Sequence, residues 1–350
     1  MWIGSGGKMC KIVFSCQADF QGIALQEILS VHAAVKFIMW IDGGAGLLEH
    51  SGTFAEFSAV LRENRPIFVR HIFPAEYIIP YADVQDEKQN QTAELIFIQS
   101  FISRMSINKN FSVQIRAAGG GKLYEPSKIK QRISDYFKSQ GFTENKRYPE
   151  QIISVYISND FVYAGLSQAE ENLSVWSGGM RHYAVREDTV SRAGFKLMEA
   201  LEDYPIVLGN NSAALDLGAA PGGWTKVLLE NGLRVVAVDP VQLAPVLQAN
   251  ENVEYYNVRA HAYIKSSNKM FDLIVNDMSM NIMTSINFML SLKHRLRESG
   301  YIIITFKLTK HDRLNKIKEG LRLLSNDFDV VYVKQLFHNR SEVTVILKKN

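Results

Sequence analysis

Apolar and polar positions form three successive patterns along this chain of 350 residues. Over residues 9–82, short apolar runs such as 11–15 and 35–41 are separated by segments with a helical period, which predicts a small α+β, ferredoxin-like domain. Residues 1–8 (MWIGSGGK) are typical of a tag or an upstream start, and residues 83–91 (DVQDEKQNQ) are polar and predict a linker.

A second module is predicted over residues 92–168. Apolar residues alternate with polar ones over 111–115, which is the period of a half-buried strand. A glycine turn follows, and then an amphipathic helix that begins near Ser127 and carries several lysines and arginines. Two further apolar runs, joined by a short polar turn at 158–160, predict a hairpin. This module is therefore expected to be α+β as well.

Residues 189–350 show a third pattern, in which continuous apolar runs alternate with helical segments. Apolar runs of this kind are typical of parallel strands that helices cover on both faces. The pattern predicts a doubly wound α/β sheet. Residues 169–188 lack a clear period and are expected to bridge this domain to the preceding module.

The most informative stretch of the third pattern is Leu215–Thr225, which reads LDLGAAPGGWT. An apolar strand leads into a loop with several glycines, and a segment with a helical period follows. Glycine is needed where a backbone turns sharply and a ligand approaches it closely. The stretch, called the glycine corner below, therefore predicts the nucleotide- or nucleoside-binding corner of a doubly wound sheet.

Charged side chains directly follow three of the predicted strands. Asp239 ends the strand after the glycine corner, where a carboxylate can accept hydrogen bonds from ribose hydroxyls. Asp277 and Lys307 follow two later apolar runs. Because ligands of open α/β sheets bind outside the carboxyl ends of the strands, we expect Asp277 and Lys307 to converge near the glycine corner.

Five short blocks of sequence resemble those of the FtsJ-like ribose 2′-O-methyltransferases, in the same order. The first is DLGAAPGGW, over Asp216–Trp224. The others are SRAGFKL (191–197), NDM (276–278), TFK (305–307) and RSEV (340–343). The resemblance covers the chain from Ser191 to its end and implies a Rossmann-like domain with a mostly parallel, seven-stranded sheet.

The resemblance implies S-adenosylmethionine as the cofactor, with S-adenosylhomocysteine as its product. The residues that it assigns to cofactor binding are Asp216, Gly218, Ala219, Pro221, Gly222, Gly223, Trp224, Asp239 and Asp277. One position departs from the family, because Arg259 stands where an acidic residue is expected to hold the adenine amine. The adenine contact is left open, with Asn257 or backbone groups as the alternatives.

The resemblance also implies a catalytic tetrad of Lys196, Asp277, Lys307 and Glu342. A ribose 2′-hydroxyl is a weak nucleophile, so it needs a base beside it when it attacks the methyl group on the sulfonium. Lys307 is the candidate base and must be neutral to accept the proton. The two carboxylates would orient the two amines, and Asp277 would also face the sulfonium.

The module over residues 92–168 resembles a THUMP domain, an RNA-binding module of RNA-modifying enzymes. Its glycine turn and basic helix offer backbone N–H groups and cations that suit phosphates. The residues assigned to RNA contact are Lys122, Lys128, Lys130, Arg132 and Lys138. The alternative, a merely solvated basic face, is less favoured because the module precedes a methyltransferase-like domain. Together the two halves resemble a bacterial group that acts on large-subunit ribosomal RNA, with transfer RNA as the other candidate substrate.

Composition narrows this picture only a little. The net charge of +3 permits an anionic partner without requiring one, and a content of only two cysteines suits a reduced, cytoplasmic protein. No apolar run in the sequence reaches membrane-spanning length, and the histidines lack metal-ligand spacing, so neither a membrane nor a metal is expected. A monomer is expected.

Two alternative functions stay open from the sequence. A non-catalytic RNA-binding or ribosome assembly factor could keep the same fold, although an intact tetrad speaks against it. An NAD(P)-dependent oxidoreductase could use the same corner, but Gly218, Gly222 and Gly223 do not give the spacing G-x-G-x-x-G. A tetrad with two lysines also has no evident role in hydride transfer.

Overall fold

The computed structural model of the protein forms two compact units, Met1–Arg181 and His182–Asn350. The structure describes residues 2–3, 9–80, 98–118, 126–209, 212–309 and 313–350. The predicted linker at 83–91 lies outside these residues, as does most of the predicted tag. Within the described residues, no helix is long and apolar enough to cross a membrane. In the same part of the chain, no three or more His, Cys, Asp or Glu side chains are grouped as metal ligands.

The first unit contains an antiparallel sheet of four strands. Their order is Val35–Asp42, Ala45–His50, Cys10–Ser15 and His71–Pro74. The helices Gln21–Val31 and Phe54–Glu63 belong to the same part of the chain. The second helix begins with a capping box, in which Thr53 and Glu56 each accept a hydrogen bond from the other's backbone N–H. The order along the chain is strand, helix, strand, strand, helix, strand, so one strand is added to the alternation that the apolar pattern indicates.

Strand Ala45–His50 begins directly after a short turn. Gly46 lies inside this strand against the ring of Phe14, where a Cβ atom would come within 2.4 Å of Phe14 Cε1. In a sequence, a glycine that serves close packing in a strand looks the same as one that serves a turn. The turn is confined to residues 43 and 44 and joins an antiparallel hairpin.

A second sheet of the first unit has five strands. Their order is Trp2–Ile3, Tyr77–Pro80, Phe161–Gln168, Gln151–Ile157 and Phe111–Ala117. The last two strands are parallel, and the other pairs are antiparallel. Helix Pro126–Ser139 packs its buried side chains Ile129, Ile133 and Phe137 into the core beside this sheet. The predicted hairpin is the pair that the turn at 158–160 joins.

Two features of the first unit differ from the predicted domain boundaries. Strand Tyr77–Pro80 pairs with Phe161–Gln168, so it belongs to the second sheet although the first boundary is predicted after it, at residue 82. Residues 169–181 of the predicted bridge also pack into this unit, where Ser15 Oγ donates a hydrogen bond to the carbonyl oxygen of Gly178. Periodicity indicates elements but not their distant partners, so the boundaries need this correction: one compact unit extends to Arg181.

The second unit is built on a sheet of seven strands. Their order is Val253–Tyr256, Arg234–Val238, Ala213–Leu217, Phe271–Asn276, Leu296–Lys307, Glu342–Lys349 and Phe328–Lys334. The first five strands are parallel, and the last two pairings are antiparallel. The predicted α/β fold with a mostly parallel, Rossmann-like sheet is therefore confirmed.

The order of the strands reverses in the middle of this sheet. Ala213–Leu217 has Arg234–Val238 on one side and Phe271–Asn276 on the other. A crevice opens outside the carboxyl ends of the strands at such a switch point. The glycine corner follows Ala213–Leu217 itself, and Asp277 follows its neighbour Phe271–Asn276.

The α-helices in the described part of this unit are Gly194–Asp203, Gly223–Glu230, Pro245–Gln248, Ala260–Ser266, Ile282–Ser291 and Arg313–Leu324.

Candidate active site

The glycine corner begins where strand Ala213–Leu217 ends, and it finishes where helix Gly223–Glu230 begins. Gly218 and Gly222 have positive φ angles of 81° and 117°, which residues with a side chain rarely adopt. A Cβ atom on Gly222 would also come 2.1 Å from Leu247 Cδ1. Both positions therefore need glycine for the backbone to turn and pack closely.

Asp216 lies in the strand before the corner and is buried, with 1% of its surface exposed. Its Oδ2 accepts a hydrogen bond of 2.7 Å from Thr225 Oγ1, which ties the strand to the helix after the corner. Burial raises the pKa of Asp216 to about 7; the negative charges of Asp277 and Asp239 add to the rise, and the bond from Thr225 opposes it. The structure thus places this carboxyl group behind the corner rather than on its surface.

The raised pKa of Asp216 predicts a cost in stability that grows with pH. The pKa of the carboxyl group is 3.8 without the protein environment, so the folded protein binds the proton more tightly and loses stability as the pH rises from 3.8 towards 7. Asp216→Asn cannot ionise but keeps an acceptor for Thr225. We expect the stability of the variant relative to wild type to increase by about 2–3 kcal/mol between about pH 5 and about pH 8.

Urea unfolding at the two pH values measures this difference for Asp216→Asn. Asp329→Asn, at an exposed position, controls for the simple loss of a carboxylate. A stability difference between Asp216→Asn and wild type that stays the same at both pH values would contradict the prediction.

Asp239 follows strand Arg234–Val238 and fixes the loop of the corner. Its Oδ2 accepts a hydrogen bond of 3.1 Å from the backbone N–H of Ala220, and its Oδ1 accepts one of 2.7 Å from that of Val241. The carboxylate is half-buried beside the corner, on the ligand edge of the sheet.

The other predicted cofactor residues differ in their exposure. Ala219 and Trp224 are buried, whereas Pro221 is exposed. Trp224 Nε1 donates a hydrogen bond of 2.9 Å to the carbonyl oxygen of Ala193. The indole therefore holds the helix after the corner against the segment that carries Lys196, a structural contact that the sequence pattern does not indicate.

The structure brings the four side chains of the predicted tetrad together. Lys307 Nζ is 2.5 Å from Asp277 Oδ1 and 2.5 Å from Glu342 Oε2. Lys196 Nζ is 2.5 Å from Glu342 Oε1 and 3.0 Å from Asp277 Oδ2. Each carboxylate therefore bridges the two ammonium groups, and each ammonium group bridges the two carboxylates.

Neighbouring strand ends and one helix position this cluster. Lys307 and Glu342 are register partners at the ends of two antiparallel strands. Asp277 follows the strand on the other side of the one that carries Lys307, and its Oδ1 accepts a hydrogen bond of 2.7 Å from Thr305 Oγ1. Lys196 comes from the helix that precedes the corner in the sequence. Strand order and register therefore determine three of the four positions.

The fourth position depends on how closely the helix of Lys196 packs on the corner. A Cβ atom on Gly194 would come 2.7 Å from the carbonyl oxygen of Gly223, and one on Gly223 would come 2.9 Å from Ser191 Cβ. Glycine at both positions lets the two segments meet with no side chain between them. This backbone contact sets the distance from Lys196 to the strand ends.

The ion pairs shift the pKa values of Lys196, Asp277 and Glu342. Burial by itself would lower the pKa of Lys196, but the charges of Asp277 and Glu342 outweigh burial and hold the pKa above its usual range. Burial would likewise raise the pKa of each carboxyl group, yet the two lysines hold both values below their usual range. Lys196 is therefore a fixed cation, and both carboxylates are ionised at neutral pH.

One side of the cluster opens into a cleft of about 810 Å³ within the second unit. Lys196, Lys307 and Glu342 line it, and their side chains are 15%, 25% and 8% exposed. Arg192 and Arg340, both exposed, line the same cleft. The two arginines lie inside the SRAGFKL and RSEV blocks, and neither belongs to the tetrad. Their positive charge within these blocks makes them candidates for contact with an anion.

The predicted adenine region contains a hydrogen-bonded loop. Arg259 is exposed there, just before a short helix. Asn257 Nδ2 donates to the carbonyl oxygens of Pro240 and Asp239, at 3.1 and 3.4 Å, and to Tyr255 Oη at 2.6 Å. The amide of Asn257 thus holds the loop that follows Asp239, and the adenine contact stays a prediction.

The residues predicted to contact RNA lie in the first unit. Lys122 is outside the described residues. Lys128, Arg132 and Lys138 are exposed on helix 126–139, and Lys138 Nζ lies 2.7 Å from Asp135 Oδ1. That carboxylate partly offsets the charge of Lys138.

Lys130 on the same helix is half-buried and has a different environment. Burial lowers its pKa, and the positive charge of Lys146 lowers it further, whereas Glu144 opposes the change. The segment with Lys146 and the exposed Arg147 therefore adds its positive charge to that of the helix. RNA contact by these residues stays a prediction.

The second unit has counterparts among known protein families. Residues 189–334 match the FtsJ-like methyltransferases. The second unit carries an FtsJ-like methyltransferase domain. The domain predicted from the five sequence blocks is thus confirmed. Because the methyltransferases of this family use S-adenosylmethionine, the predicted cofactor is confirmed as well.

Proteins similar to this chain include ribosomal RNA methyltransferases. The ribosomal RNA large subunit methyltransferase M of Serratia proteamaculans is 29% identical over 220 residues, which cover 59% of this chain and 58% of that protein. The protein of the same name from Hahella chejuensis is 25% identical over 357 residues, which cover 95% of this chain and 88% of that protein. This homology agrees with the group that the two halves resemble, while the THUMP-like character of the first unit stays a prediction.

The matches differ in how much of each protein they cover. The chain spans about half to three fifths of the length of the first curated relatives that it matches, with 48%, 58% and 58% covered. Among solved structures, a chain of the fibrillarin/Nop5p complex is 19% identical, with a TM-score of 0.42. That match covers 49% of this chain and 90% of the other.

Proposed function

We propose that this protein is an S-adenosylmethionine-dependent RNA methyltransferase that modifies a ribose 2′-hydroxyl of large-subunit ribosomal RNA. The proposal is carried by the cluster in which Asp277 and Glu342 bridge Lys196 and Lys307. The cluster lies at the carboxyl ends of the strands, beside an open cleft. A weak oxygen nucleophile needs a base, and the cluster combines a candidate base with a fixed cation and two orienting carboxylates.

The glycine corner fits S-adenosylmethionine, which supplies a methyl group on a positively charged sulfonium. Gly218 and Gly222 let the backbone turn sharply where a nucleoside would approach it. The carboxylate of Asp239 lies beside this loop and suits ribose hydroxyls. Asp277, ionised and on the same edge of the sheet, suits the sulfonium. These residues would hold the cofactor next to the tetrad.

Lys307 is our candidate for the base. Both lysines contact both carboxylates, but the side chain of Lys307 is the more exposed one, at 25% against 15% for Lys196. The cluster is neutral as it stands, because two ammonium groups balance two carboxylates. A sulfonium bound beside Asp277 would add one positive charge to the cluster. Neutral Lys307 can accept the proton of a 2′-hydroxyl in the cleft.

The RNA substrate is supported by cations on each unit. Lys128 and Arg132 are exposed on a helix of the first unit, and Arg192 and Arg340 are exposed on the cleft of the second. Arginine and lysine on such surfaces suit the phosphates of a nucleic acid. Relatives named large-subunit ribosomal RNA methyltransferase M favour ribosomal RNA over transfer RNA.

Methyl transfer from labelled S-adenosylmethionine tests the proposal. The full chain is incubated in parallel with undermodified large-subunit ribosomal RNA, with transfer RNA and with DNA of the same sequence as the ribosomal RNA. We expect label in the ribosomal RNA alone. Alkaline hydrolysis then locates it, because a 2′-O-methyl group blocks cleavage of the adjacent phosphodiester and leaves labelled dinucleotides.

Three other outcomes would speak against the proposal. Label that is released in mononucleotides would place the methyl group on a base. Tight binding of ribosomal RNA without transfer to any substrate would favour an RNA-binding or assembly factor. Reduction of a nicotinamide cofactor would favour an oxidoreductase.

A further inference from the structure

Five aromatic side chains line the same cleft as the tetrad and contact one another. They are His182, Tyr183, Phe195, Phe337 and His338, and we call this set the aromatic wall. The rings of Tyr183 and His338 are stacked, with centroids 5.1 Å apart and planes at 28°. Phe195 packs edge-on against His338 at 5.3 Å, and His182 packs edge-on against Phe337 at 4.9 Å. Since Phe337 also contacts His338, at 5.1 Å, the wall is one continuous set of rings.

Two glutamates on one helix hold the stacked pair. Glu199 is buried, with 5% exposed, and accepts a hydrogen bond of 2.8 Å from His338 Nδ1. Glu199 also accepts bonds from the backbone N–H groups of Phe337 and His338, at 2.9 and 3.1 Å. Glu202, about one turn further along the helix, accepts a bond of 3.0 Å from Tyr183 Oη. Both rings are thus fixed through their polar atoms.

The hydrogen bonds that hold His338 in one orientation indicate a role besides stability. A buried carboxylate costs free energy unless hydrogen bonds satisfy it, and three bonds of Glu199 go to one short turn beside the cleft. Because Nδ1 of His338 is bound to Glu199, Nε2 is the ring nitrogen that a ligand can meet. The arrangement holds flat rings in a set orientation at a cavity, which is the geometry of a binding surface.

We propose that the aromatic wall is the subsite for a nucleobase of the RNA, which stacks on the rings beside the tetrad. The inference rests on the proposed function and names the part of the RNA that the cleft takes. Bases that leave a helical stack are held by aromatic side chains in many RNA-binding proteins. A cavity of about 810 Å³ has the size of a small-ligand site and is large enough for one nucleotide.

The cleft faces the acceptor side of the tetrad. Among the described residues that line it, none belongs to the glycine corner at 215–225. Methyl transfer needs oxygen, carbon and sulfur in line, so acceptor and cofactor must approach the tetrad from different sides. A nucleotide in the cleft can therefore place its ribose at Lys307 and a base on the wall. Arg192 and Arg340 lie in the same cleft for its phosphates.

Substitutions in the wall test the subsite through the RNA. His338→Ala and Tyr183→Ala each remove one stacked ring, and we expect the KM for in vitro transcribed large-subunit ribosomal RNA to rise roughly 5- to 100-fold. The Kd for S-adenosylhomocysteine should change by less than about threefold, and kcat should fall less than KM rises. Tyr183→Phe and His338→Phe keep a ring and should restore most of the lost affinity.

His261→Ala is the matched control. His261 also stacks on a ring of the second unit, that of Phe288, with the centroids 4.5 Å apart, but it does not line the cleft. The KM of His261→Ala for the RNA should therefore equal that of wild type. An unchanged KM in active His338→Ala and Tyr183→Ala proteins would overturn the inference and leave the proposed function standing. Equal losses in the alanine and phenylalanine variants would also overturn it, because stacking would then not matter. A wild-type protein that methylates no RNA would refute the proposed function, and this inference with it.

Discussion

Replacement of Lys307 by alanine is expected to lower kcat for methyl transfer by about 10²- to 10⁴-fold, which is the usual contribution of a general base. The substitution leaves Asp277 and Glu342 to share Lys196 alone, so it removes the candidate base and one of the two cations of the cluster. The glycine corner is not altered. The Kd for S-adenosylhomocysteine, measured by calorimetry, should therefore change much less than the rate of single-turnover transfer.

Lys307→Arg separates the role of a base from that of a fixed cation. Arginine keeps the positive charge and can bond to both carboxylates, but it stays protonated in proteins and cannot accept a proton. If Lys307 is the base, the arginine variant should be as slow as the alanine variant to within about tenfold.

Lys318→Ala is the control for both substitutions. Lys318 is exposed on helix Arg313–Leu324 and does not line the cleft, so its removal should leave transfer unchanged. A Lys307→Arg protein that kept more than about a tenth of the wild-type kcat would show that the charge of Lys307, and not proton transfer, is what the reaction needs.

The parts of the site that could be predicted from the sequence lie at strand ends. Asp277 and Lys307 each follow an apolar run, and parallel strands bring their carboxyl ends to one edge of the sheet. Their convergence, with 2.5 Å between Nζ and Oδ1, therefore follows from pattern alone. Lys196 and Glu342 depend on a helix contact and on antiparallel register, which no local pattern contains. Only the resemblance of their sequence blocks to a family indicated them.

The aromatic wall could not be predicted for a different reason. His338 is an isolated histidine in the sequence, and Glu199 lies in another part of the chain. Only the order of the strands brings the turn with His338 next to the helix with Glu199. Long-range pairing also joins Tyr77–Pro80 to Phe161–Gln168 in the first unit. Pairs of this kind depend on tertiary structure, and residue type gives no hint of them.

Gly165→Ala is expected to destabilise the first unit by about 3–5 kcal/mol, a large effect for one methyl group. Gly165 lies in strand Phe161–Gln168, where a Cβ atom would come 1.7 Å from the carbonyl oxygen of Pro74 and 2.8 Å from its carbon. These are backbone atoms at the end of strand His71–Pro74 of the other sheet, so rotation of a side chain cannot relieve the overlap. Urea unfolding measures the loss, and hydrogen exchange should locate it in these two strands.

Gly22→Ala is the matched control for this prediction, because it adds the same methyl group in open space. Gly22 lies in helix Gln21–Val31 of the same unit, and no neighbouring atom comes within 4 Å of its Cβ position. Alanine has the higher helix propensity, so this variant should gain about 0.5–1 kcal/mol. Opposite signs in the two variants would show that the space around the backbone decides the effect. A Gly165→Ala protein as stable as Gly22→Ala would refute the close approach of the two sheets.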